Sequence, residues 1–165
     1  MVVPDGSGNP LTEAWLPWGS RVDATITIFL RGCEDEAIAN FPAEDMWLES
    51  LDYGLVNCWG GTIADENTDD QGTATWAQPL FAGGSSQTGC KVLVNGMAVE
   101  TPPTLAIHFN SPDINGDGTV GLADVVPFAT DFYGGYQFRS DFHRDGVLTL
   151  ADLVHLARAM GRSCP

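Results

Sequence analysis

Polar and apolar positions alternate through the first two thirds of the chain. In "VDATITIFL" (residues 22–30), Val22, Ala24, Ile26, Ile28 and Leu30 alternate with Asp23, Thr25 and Thr27, the period of a half-buried strand. Further strands are expected over 45–50 (DMWLES), 55–59 (LVNCW), 73–80 (TATWAQPL) and 104–109 (TLAIHF). "KVLVNGMAV" (91–99) sets Asn95-Gly96 between two apolar runs and predicts a hairpin. The connectors "GCEDEA", "ADENTDDQG" and "AGGSSQTG" read as turns. Short strands at this spacing predict an antiparallel sandwich. Its first strand is expected at 11–18, where Pro10 and Pro17 weaken it.

After Asn110 the period becomes helical. "LADVVPFATDFY" and "LADLVHLARAMG" each place apolar residues at i, i+3, i+4 and i+7. Leu150, Leu153, Val154, Ala157 and Met160 form the expected core face of the second helix, with Gly161 as its stop. Pro127 removes one hydrogen bond from the first helix and is expected to kink or restart it. The two segments are an internal repeat at an offset of 28 residues. Asp113/Asp141, Asp117/Asp145, Gly118/Gly146, Leu122/Leu150, Asp124/Asp152 and Val126/Val154 all coincide. Mainly β with a small α part is therefore the expected fold class, divided into residues 1–110 and 111–165.

Each repeat opens with a loop rich in oxygen ligands. Calcium takes six to eight hard oxygens, and a 12-residue loop supplies them from positions 1, 3, 5, 7 and 12 around a glycine at position 6. In the first loop these are Asp113, Asn115, Asp117, the Thr119 carbonyl and Asp124, with Gly118 at the sharp turn. The second offers Asp141, Asp145, the Val147 carbonyl and Asp152, but His143 stands at position 3, where imidazole is a poor calcium ligand. The expectation is Ca2+ in the first loop, and in the other either a second, more weakly held ion or an empty loop kept folded by packing or by His143 donating to a carboxylate.

Two resemblances follow. "ATITIFLRGCEDEAIANFPAEDMWLES", "TDDQGTATW" and "VLVNGMAV" resemble bacterial immunoglobulin-like repeats, which implies an Ig-like β-sandwich over 22–109. The paired loop–helix units from Asp113 to Met160, with Asp at position 12, resemble dockerins. That implies a secreted, calcium-binding module that docks on a cohesin-like partner through loop positions 10 and 11 and along its helices. Here those positions are Leu122-Ala123 and Leu150-Ala151. His143 and Pro127 depart from the family pattern.

Charge narrows the partners. The chain has 165 residues with 22 acids against 7 bases, a net charge of −15, which disfavours nucleic acid and anionic membranes. No apolar run is long enough for a membrane span, and "MVVPDGSGNP" has neither the basic nor the apolar part of a signal peptide. Four widely spaced cysteines (Cys33, Cys58, Cys90, Cys164) are read as two disulfides of undetermined pairing and an extracellular setting, secreted or at the cell surface. GxSxG, P-loop and HExxH patterns do not occur, and catalysis is not expected. Trp15, Trp18, Trp47, Trp59 and Trp76 are read as core or interface rather than as a sugar platform.

Only Asn110, Ser111 and Pro112 separate the last expected strand from the first loop, so the two parts should form a rigid pair. Two functions remain. One is a structural subunit that polymerises with copies of itself. The other is an attachment module plugged into a cohesin-like domain.

Overall fold

The computed structural model describes residues 13–15, 21–23, 25–99 and 105–165, the first two stretches by backbone alone. The rest of the expected first strand lies outside the described residues. The chain is mainly β with two helices. Strands β1 (Glu13–Trp15) and β2 (Arg21–Asp23) pair antiparallel, and β3 (Ile26–Phe29) pairs with β6 (Thr73–Trp76). β4 (Met46–Ser50), β8 (Cys90–Val94) and β9 (Met97–Ala98) form one three-stranded sheet. β5 (Leu55–Asn57), β7 (Ala82–Ser86) and β10 (Phe109–Asn110) form another, with β7 in the centre.

The strands enclose a core of Ile26, Met46, Leu48, Trp76, Val92 and Phe109 with their neighbours. Trp76 is fully buried, and its indole N–H donates to the Thr62 carbonyl at 3.0 Å. The Asn95-Gly96 hairpin forms as expected, with φ of 50° and 80° at its two turn residues.

Several expectations need correction. "AGGSSQTG" is not a connector, because Ala82–Ser86 is the central strand β7. Residues 104–109 give only the Cys90–Leu105 bridge and the two residues of β10. The Cys58–Cys164 disulfide forms, but a second does not, since Cys33 lies on an exposed turn and Cys90 inside the core. Trp59 is 98% exposed and so is not part of the core.

The helices α1 (Leu122–Gly134) and α2 (Leu150–Ala159) pack on a second cluster of Ile114, Val120, Phe128, Phe142, Leu156 and Ala159. Phe128 and Phe142 stack with centroids 6.2 Å apart. α1 runs through Pro127 without restarting. Gly161 takes φ 82° just past α2, as a helix stop requires. The buried stripes are Asp124, Phe128 and Asp131 on α1 and Asp152, Leu156 and Ala159 on α2, again 28 residues apart. The expected core face of α2 is the opposite one: Leu150, Leu153, Val154 and Met160 are all exposed.

Candidate metal-binding loops

The first loop is folded by its own carboxylates. Asp113 Oδ1 accepts from the N–H groups of Gly116 and Asp117, and Oδ2 from Gly118 at 2.8 Å. Asn115 Oδ1 accepts from Asp117, and Asp117 Oδ1 from Thr119. Asp124, fully buried at the start of α1, accepts from Asn115 through Oδ1 and from Gly121 through Oδ2. Position 12 is thus tied to position 3, and the loop is closed across its full length. Gly116 and Gly118 take φ of 72° and 86°, a region glycine enters without penalty.

Burial pushes the Asp113 carboxyl up, opposed by the Gly118 N–H, and the nearby Asp124 and Asp117 charges push it further in the same direction. Three carboxylates share the loop, and no Lys or Arg occurs between Ser111 and Phe138.

The second loop repeats the plan with substitutions. Asp141 Oδ2 accepts from Gly146 and from the Tyr136 hydroxyl, each at 3.0 Å. Its Oδ1 is buried without a hydrogen-bond partner, a costly arrangement for a carboxylate oxygen. Asp152 accepts from His143 and Thr149 backbone N–H groups, and Asp145 from Val147. The His143 side chain is exposed.

Among the described residues, no group of three or more His, Cys, Asp or Glu side chains is arranged to hold a metal ion. The carboxylates are turned onto loop N–H groups instead. The donor set still fits calcium: Asp113, Asn115, Asp117, Asp124 and the Thr119 carbonyl in the first loop are all hard oxygens. In the second loop the orphaned Asp141 Oδ1, with Asp145, Asp152 and the Val147 carbonyl, suits the same ion.

Both loops are seated on the β region. The Gly84 N–H donates to the Asp113 carbonyl at 2.7 Å, and the Ser111 N–H to the Gly84 carbonyl. A Cβ on Gly83 would collide with Asp113 Oδ2, so β7 carries glycine where the loop lies against it. From the second loop, Arg144 reaches β10. It is buried, its guanidinium donates to Asn110 Oδ1 and to the His108 carbonyl, and it lies over the Phe138 ring. Asn110 Nδ2 donates to the carbonyls of Asp141 and Phe138. Cys164 is held beside Gly118 by a backbone bond while its sulfur bonds Cys58.

Gly83, Asn110, Tyr136 and Arg144 did not stand out in the sequence. Arg144 carried one signal, because it occupies the place of Gly116 in the first repeat and shares its positive φ, here 56°. A non-glycine residue held there points to tertiary contacts that compensate. In "ADENTDDQG", Asp69 Oδ1 accepts from Gln71 and Thr73, which makes it the closing residue of an acidic turn. No described helix is long and apolar enough to cross a membrane. No protein family, curated protein or solved structure matches the chain.

Proposed function

We propose that this chain is a non-catalytic, calcium-binding structural protein of the extracellular space. It pairs an Ig-like sandwich with a dockerin-like module as one rigid unit that assembles with its own copies. The observation that carries this reading is the three-point seat of the loops on the β region: Gly83 under Asp113, Arg144 on Asn110, and the Cys58–Cys164 bond. A module meant to swing freely on a scaffold needs none of these. Calcium would neutralise the crowded Asp113, Asp117 and Asp124 carboxylates and fix the loop that rests on the β region. The disulfide fits an oxidising compartment.

Assembly needs an apolar surface, and the helices offer one. Leu122 is 78% and Leu150 69% exposed, with Val126 and Val154 beside them one turn on. Burying such side chains stabilises a contact by about 1.5–3 kcal/mol each. The equivalence of Leu122 and Leu150 in the two repeats also favours a second reading, docking of this face on a cohesin-like partner.

Light scattering separates the two. In calcium, mass should rise with protein concentration, and it should fall to that of a single chain with chelator or in a Leu122→Asp/Leu150→Asp variant. A calcium-loaded single chain at every concentration contradicts self-assembly. If that single chain binds a cohesin panel, the docking reading takes its place.

A further inference from the structure

A tryptophan with nearly all its surface in water forgoes the largest burial that any side chain offers. Trp59 does this on a pinned turn. Cys58 on one side is in the disulfide, and its N–H donates to the Phe81 carbonyl at 3.1 Å. Gly61 on the other side accepts from Phe81 at 2.8 Å and donates to the Cys58 carbonyl, and Gly60 between them takes φ 68°. The indole is thus presented by fixed backbone.

Beside it lies a cleft of about 780 Å3 lined by Trp59, Trp47, Ile63, Glu44 and Asn57 among others. Trp47 is half-buried, while Glu44 and Asn57 are exposed. Asn57 Nδ2 donates to the Leu48 carbonyl, which leaves its Oδ1 as an acceptor. The Glu44 carboxylate is an acceptor too. Two indoles with two acceptors match a ligand that has an apolar face and a rim of O–H donors.

We propose that this cleft binds an uncharged sugar ring, stacked on Trp59 and oriented by Glu44 and Asn57. The C–H bonds on one face of a pyranose meet the negative face of the indole, and its hydroxyls donate to the two acceptors. Glu44 and the net charge of −15 repel acidic sugars. None of the cleft's lining residues belongs to the metal loops or to the exposed helix face, although Cys58 is bonded to Cys164 beside the first loop.

Affinity electrophoresis in calcium tests it, with hydroxyethyl cellulose, arabinoxylan, galactomannan, soluble starch and glycol chitin as probes and polygalacturonate as the acidic control. At least one uncharged polymer should retard the protein, and polygalacturonate should not. Trp59→Ala should weaken that retardation at least about tenfold at unchanged melting temperature, since the side chain packs on little. Glu44→Gln should weaken it less. The proposal is overturned if none of the uncharged polymers retards the protein, or if Trp59→Ala binds like the parent chain. It is equally overturned if the only effect of Trp59→Ala is a change in solution mass, which would make the cleft a contact between copies.

Discussion

Arg144 in the second loop and Asn110 at the end of β10 are joined by a 3.1 Å hydrogen bond between buried side chains. Asn110 also donates to the Asp141 carbonyl at 2.7 Å, so one amide ties the last strand to the first residue of that loop. Burial lowers the Arg144 pKa, with the Asp141 charge acting against that shift. Asn110→Ala removes an acceptor from a buried guanidinium and two donated bonds from loop carbonyls. Urea unfolding should show a loss of about 2–4 kcal/mol. A loss below about 0.5 kcal/mol would mean that the two parts are not coupled there.

Cys58 and Cys164 join positions 106 apart in the sequence. In the chain-entropy description, a loop of that size stabilises by about 4–5 kcal/mol. The Cys58→Ser/Cys164→Ser variant should melt well below the parent, and reductant should move the parent the same way. Thiol counting with a coloured disulfide reagent gives a second check. Cys33 should react at once, and Cys90, buried with its pKa pushed up to about 12, only on unfolding. Two fast thiols, or none, would contradict this pattern.

Gly83→Ala places a methyl where the Asp113 carboxylate lies. The first loop must shift, and calcium affinity there should fall about tenfold or more. Gly121→Ala is the control, because that residue has φ −138° and open space around it. Calorimetric titration should find it close to the parent.

Glycine at this place also shows how far the sequence could be read. Gly83 and Gly84 look like turn residues because glycine usually marks turns, yet they lie in a central strand, where the bare Gly83 makes room for Asp113 and the bare Gly84 for the Gly54 backbone. Leu150, Leu153 and Val154 were legible as one apolar face, but periodicity does not say whether the same chain covers it. The buried stripe instead contains Asp152, which a hydrophobic pattern cannot pick out. The Asp113, Asp117 and Asp124 carboxylates that close the first loop were legible from their spacing around the glycine at position 6. The Arg144 latch was not, because it depends on the contact between distant segments.

Asp131 on α1 meets Arg139 in a two-bond ion pair, at 2.7 and 2.8 Å, and also accepts from the Ser140 hydroxyl. Burial alone would raise its carboxyl, but these bonds outweigh it and hold the pKa below the ordinary 3.8. A depressed folded-state pKa stabilises above the unfolded value and ceases to as pH falls through the folded one. Asp131→Asn should therefore cost about 1 kcal/mol at pH 7, a figure discounted for the 43% exposure of Arg139. The gap between variant and parent should close as pH drops below 3.8. Stability curves against pH that stay parallel would refute this.

Titrating the chelator-treated chain with calcium, following heat and melting temperature together, shows whether calcium fixes the loops and through them the whole unit. Saturable binding is expected, with at least one ion per chain, and with a stability gain of about 2.7 kcal/mol at a hundredfold excess over Kd. Asp117→Ala, on the exposed side of the first loop, should abolish the tighter event while the chain stays folded. A chain that gives no binding heat and melts at the same temperature in calcium and in chelator would mean that calcium does not hold the loops.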